Sequence, residues 1–128
     1  AKKLGYYYLS SGLLFRGLAY VLVHDFMYSP ELIHNPSEHD IAKALNPDRF
    51  VYVYNHDHGE QLFVQGKNIT DELRGPTLSQ YASILGTHVQ VRLALAALQH
   101  QIASNYDLVA EGRDMGSAIF PHADIKFF

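Results

Sequence analysis

Two short strand-like runs at opposite ends of the chain, Tyr6–Leu9 and Asp107–Glu111, each open directly onto a turn of small residues. Ser10-Ser11-Gly12 follows the first and Gly112-Arg113-Asp114 the second, where glycine permits a tight backbone path beside a ligand. Ala1–Gly5 ahead of the first run reads as the tail of a helix stopped at a glycine. Helix and strand signals alternating at both ends predict an α/β core, and a different pattern between them predicts an insertion.

In that middle stretch Leu14, Leu18, Val21 and Leu22 recur at helical spacing within Leu13–Tyr28. Ser37 is placed to cap a short helix that Asn46-Pro47 ends. Arg49–Asn55, rich in Tyr, Val and Phe, and Gln61–Gln65 predict an antiparallel hairpin, with the polar segment His56–Glu60 as its turn. Pro76 suits a helix start, Leu78, Tyr81, Ala82 and Leu85 form its buried face, and Gly86 ends it. A further helix is predicted over about His88–Ser104 from Val89, Leu93, Ala96 and Ala97. The expected fold class is therefore α/β, one domain in which residues 1–12 and 106–128 form the core and residues 13–105 the insertion.

Composition narrows the chemistry. The 128 residues carry a net charge of −3, so no electrostatic footprint for nucleic acid exists and an anionic ligand must be held by local arginines. Those are Arg16, Arg49, Arg74, Arg92 and Arg113. The absence of cysteine excludes disulfides and thiolate metal sites and fits a cytoplasmic location. The apolar run Leu18–Val23 is broken by His24 and Asp25, well short of the roughly 18 to 20 residues of a membrane helix. His56-Asp57-His58 falls in the predicted turn without further ligands nearby, so no metal site is assigned. The opening Ala1-Lys2-Lys3 and the close at Asp124–Phe128, which reads as a strand, are expected to be the edges of a segment cut from a longer chain.

Three local signals could carry function: Ser10-Ser11-Gly12 with Arg16, Ser83 with Arg92, and Gly112-Arg113-Asp114. An arginine beside a small-residue turn suits a phosphate, since its guanidinium donates two parallel hydrogen bonds; it is equally the pattern of a solvated helix arginine. Ser83, Arg92 and Asp114 could address one cytosine, the carboxylate accepting from the exocyclic amino group and the others meeting the ring nitrogen and carbonyl. Ser83 could as well turn to solvent or to a carbonyl of its own helix.

In order along the chain, Leu9-Ser10-Ser11-Gly12-Leu13-Leu14-Phe15-Arg16 resembles the segment L-D-[ST]-G-x-x-Y-R of bacterial-type cytidylate kinases, and Gln65–Arg74 resembles their G-x-[DN]-[VI]-[ST]-x-x-[IL]-R. Ala82-Ser83, Val91-Arg92, Glu111–Ser117 and Phe120-Pro121 continue the likeness over nearly the whole chain. The resemblance implies a fragment of a P-loop kinase parallel-sheet core with a nucleotide-binding insertion of helices and a small antiparallel sheet. It implies transfer of the ATP γ-phosphoryl group to CMP or dCMP, with Mg2+, in a cytoplasmic monomer that needs neither nucleic acid nor membrane. Ser11, Arg16 and Arg113 would then meet the substrate phosphate, and Ser83, Arg92 and Asp114 the cytosine base.

Two substitutions depart from the family pattern, Ser10 for aspartate and Phe15 for tyrosine. The resemblance also leads one to expect a Gly-Lys-[Ser/Thr] donor loop and an arginine-rich lid, neither of which these 128 residues contain. No catalytic residue is identifiable in the chain, and taken alone it is expected to be inactive. The rival expectations are a CMP-binding or structural module without catalysis, and a kinase for another small phosphate acceptor.

Overall fold

The computed structural model describes residues 7–55, 57–104 and 108–111. Strand β1 (Tyr7–Ser10) runs straight into helix α1 (Ser11–His24), and α1 is the element around which the rest is assembled. Leu13, Leu14, Gly17, Leu18, Ala19, Tyr20, Val21 and Leu22 are all buried. Those positions go round most of the helix, the signature of a helix covered by protein on several sides. Its covers are α3 (Glu38–Ala44), α4 (Pro76–Leu85), α5 (Val89–Ala103) and strand β3 (Gly59–Val64). A four-residue helix, α2 (Pro30–Ile33), lies between α1 and α3. The resulting core also takes in Leu9, Ile33, Ile41, Phe50, Leu62, Leu73, Leu85, Val91 and Leu95.

Two sheets flank this core. In the first, β1 pairs in parallel with β5 (Leu108–Glu111), with Tyr7 opposite Leu108 and Ser10 opposite Glu111. In the second, β2 (Phe50–Asn55) and β3 form the antiparallel hairpin, Phe50 opposite Val64 and Asn55 opposite Gly59. The sheet continues to a third strand, β4 (Lys67–Asn68), across a two-residue turn. Gln65 and Gly66 both have positive φ, 50° and 81°, the backbone of a type I′ turn, which matches the twist of the flanking strands. Glycine adopts that conformation freely; Gln65 does so at a cost.

Beyond β4 a 3-10 turn, Thr70–Leu73, is tied back to the hairpin by the Leu62 N–H donating to Thr70 Oγ1 at 2.9 Å and the Ile69 N–H donating to the Leu62 carbonyl at 2.9 Å. Hairpin, cap at Ser37, Pro76 start and Gly86 stop stand where the sequence predicts them. Three features differ. Helix α1 starts at Ser11 and stops at His24, and α2 and β4 are additional. The strand expected at Asp124–Phe128 lies outside the described residues.

Candidate functional site

The parallel pairing of β1 with β5 decides where chemistry can gather. Parallel strands end on the same edge, and the register sets Ser10, the last residue of β1, opposite Glu111, the last residue of β5. Crevices at the carboxyl ends of parallel strands are where ligands settle in α/β sheets. The chain leaves β1 at this edge through Ser11 and Gly12, and in sequence Gly112 follows β5.

Ser10 is extended, with φ −115° and ψ 119°, as a residue ahead of a helix should be, yet its side chain makes no capping hydrogen bond. No acidic residue stands in the first turn of α1. The helix therefore opens with N–H groups that no side chain of the cap satisfies and with no acidic residue in its own first turn, a setting that favours an anion. Arg16 joins it: Nε donates to the Gly12 carbonyl at 3.1 Å, which folds the guanidinium back toward the start of its own helix. Gly12 is exposed and carries no Cβ to obstruct an approach from solvent. Ser11 and Arg16 are thus brought to one helix start.

Ser83 and Arg92 flank the connection between α4 and α5. Ser83 is exposed, and its hydroxyl donates to the Ser79 carbonyl one turn back at 3.2 Å, leaving its oxygen able to accept. Arg92 is exposed in the first turn of α5, and among the described residues its side chain has no hydrogen-bond or ion-pair partner. The connection between them is tightly bonded: Gly86 N–H donates to the Ala82 carbonyl at 2.9 Å, Thr87 N–H to Ile84 at 3.1 Å, His88 N–H to Leu85 at 3.1 Å, and Thr87 Oγ1 to Ile84 at 2.7 Å. This turn meets the start of α1, because α1 packs along α4 and a Cβ built on Gly86 would stand 3.7 Å from Cε1 of Phe15. Arg113 and Asp114 lie outside the described residues.

Titration behaviour is perturbed on other elements. Burial, and then the neighbouring Glu72, raise the Tyr20 hydroxyl above its ordinary range. The hydrogen bond from Tyr28 holds the Asp40 carboxyl below its ordinary value, and burial, reinforced by Asp40, raises Tyr28. Among the described residues no group of three His, Cys, Asp or Glu side chains could hold a metal ion, and no Gly-Lys-[Ser/Thr] run exists in the chain.

Sequence reasoning missed two features. The contact between Phe15 and Gly86 has no local signature, since an aromatic at helical spacing and a helix-ending glycine each have an ordinary explanation. Arg49 is the second: it pairs with Asp25 at 3.3 Å, lies 5.3 Å from the centre of the Phe26 ring, and has only 16% of its side chain exposed. It belongs to the framework, whereas Arg74, 81% exposed, pairs with the similarly exposed Asp71 at 3.6 Å.

The cytidylate kinase family profile matches residues 1–128. Cytidylate kinases of Thermodesulfovibrio yellowstonii and Fervidobacterium nodosum are each 34% identical over 128 residues, covering 100% of this chain and 55% and 53% of their own lengths. A bifunctional pantoate ligase/cytidylate kinase of Synechococcus sp. is 33% identical over 129 residues, covering 100% of this chain and 25% of its own length. The chain spans about half the length of the cytidylate kinases it matches and about a quarter of the bifunctional protein. With a family match from the first residue to the last, and its Ser-Ser-Gly turn and Arg16 set at the end of a parallel strand, this chain belongs to the cytidylate kinase family.

Proposed function

We propose that the protein containing this chain is a nucleoside monophosphate kinase that transfers the γ-phosphoryl group of ATP to CMP or dCMP, and that these residues form most of the acceptor pocket. The observation that supports the reading is that two unlike surfaces, the start of α1 and the turn between α4 and α5, lie against each other at Phe15 and Gly86. An uncapped helix start with Arg16 suits a phosphate, and a rigid turn flanked by Ser83 and Arg92 suits a polar base edge. ATP and magnesium are what the family uses in general; the residues that hold them are not identified in this chain, and no step is derived through them.

Ser11 and Arg16 would neutralise and orient the acceptor phosphate, and Arg113 would join them there. Ser83, Arg92 and Asp114 would read the base, Asp114 accepting from the exocyclic amino group. A uracil carbonyl at that position would face a carboxylate and leave buried polar groups unpaired, the condition under which a polar site discriminates strongly. Residues 1–12 and 106–128 would form the core and 13–105 the insertion that carries the base-reading helices.

The test is kinetic and uses the protein at its natural length. A charge-assisted hydrogen bond is worth roughly 1.5 to 3 kcal/mol, so Arg16→Ala is expected to raise the KM for CMP or lower turnover by about tenfold or more. Asp114→Asn is expected to narrow the ratio of kcat/KM for CMP over UMP, chiefly by losing CMP activity. Arg74→Ala is the control and should change little. Equal losses in all three would point to general destabilisation, and CMP binding without any CDP formation would leave a binding module.

A further inference from the structure

The two halves of the candidate pocket sit on different helices, so a ligand that touches both depends on the distance between them. Phe15 stands where that distance is set. It is half-buried, precedes Arg16 directly and packs on the core. Its Cε1 lies in van der Waals range of the space a Gly86 side chain would fill, 3.7 Å from an ideal Cβ. Gly86 is the C-cap of α4, three residues after Ser83, and opens the turn whose hydrogen bonds bind Ala82 through His88 into one unit. Ser83 lies within that unit, and Arg92 is joined to its end by its N–H donating to the His88 carbonyl at 3.1 Å.

We infer that Phe15 is a positioning residue that fixes the span between the phosphate turn of α1 and the base-reading ends of α4 and α5, through its contact with Gly86. This rests on the CMP reading of the site given above. A nucleotide held at both ends gains over either end alone only when the spacing of the two sites matches its own length. A misplacement of about 1 Å can cost on the order of a hundredfold in rate. An aromatic ring suits the task because it is rigid beyond χ2 and sets one separation, where an aliphatic side chain would allow several. Gly86 has φ −65°, so a side chain there is conformationally allowed; its Cβ would meet the ring at ordinary van der Waals distance, and a longer side chain would have to displace the ring.

The experiment compares calorimetric binding of CMP, which spans both halves, with that of cytidine, which offers only the base end, in the protein at its natural length. Phe15→Leu keeps most of the buried apolar volume, and matched thermal unfolding confirms its fold. It is expected to weaken CMP binding on the order of tenfold while cytidine binding and the KM for ATP stay unchanged. Gly86→Leu should give the same split, and Phe15→Tyr, with a ring of the same width, should bind CMP as the unaltered protein does. Unchanged CMP binding in Phe15→Leu overturns the inference, as does an equal loss for CMP and cytidine, which would make the ring a wall of the base pocket. If the unaltered protein binds no CMP, the functional reading falls and the inference with it. If it binds CMP in an Arg16-dependent way and Phe15→Leu matches it, only the inference falls.

Discussion

Tyr28 is buried, and its hydroxyl donates to Asp40 Oδ2 at 2.6 Å while accepting from the Ser37 N–H at 3.3 Å. Ser37 Oγ accepts the Asp40 N–H at 3.1 Å, so three residues lock the start of α3 to the chain that leaves α1. Only part of this was legible. Ser37 announces itself as an N-cap because a short polar side chain before a helical run can bond forward to N3. Tyr28 gives no such notice, since its carboxylate partner is twelve residues away in sequence. Tyr28→Phe is expected to cost roughly 1 to 2 kcal/mol near neutral pH, the worth of a hydrogen bond to a charged group, discounted for Asp40 being partly exposed. The folded value of the Asp40 carboxyl lies below its unfolded one, near 3.8, so its contribution is present above that pH. The contribution is lost as pH falls from there through the lower folded value. Chemical denaturation at a series of pH values checks this: the gap between Tyr28→Phe and the unaltered protein should close on acidification, and a gap independent of pH would count against the assignment.

At the scale of elements, α1 and the β2–β3 hairpin meet at Gly17. A Cβ there would overlap Cδ2 of Leu62 and stand 3.0 and 3.1 Å from Cζ and Cε2 of Phe50. Leu62 is 0% exposed and Phe50 2%, so neither has room to yield. Helix propensity favours alanine over glycine by about 1 kcal/mol, whereas overpacking a filled core costs typically 1 to 3 kcal/mol. Gly17→Ala is therefore expected to lower the thermal unfolding midpoint by a few degrees, and a raised midpoint would show that the hairpin does not press on α1 as described. The sequence could not disclose this, because a glycine inside a helical pattern also reads as mere tolerance. The hairpin itself was legible from its β-branched and aromatic run. Strand β4 was not, since Lys67-Asn68 has no apolar alternation and exists because the Gln65-Gly66 turn points the chain back along β3. The start of α1 was obscured for a different reason: Ser11 and Gly12 are poor helix formers that here occupy its first turn.

For the whole molecule the two sheets are opposites in topology. Strands β2 and β3 are separated by residues 56–58 and β3 and β4 by two residues, whereas β1 and β5 bring together positions about a hundred residues apart. Closing that longer loop costs about 3 kcal/mol more in chain entropy than closing the hairpin. In pulse-labelled hydrogen exchange during refolding, the amides of β2 and β3 should become protected before those of β1 and β5; simultaneous protection would show that the chain collapses around both sheets at once. The ends of β1 and β5 share an edge only when that last pairing is made, so a ligand that grips both sides of the edge has nothing to grip in any earlier species. Such a ligand is a brake on unfolding rather than a template for folding: if CMP is that ligand, as proposed above, it should leave the refolding rate as it is and lengthen the life of the native state.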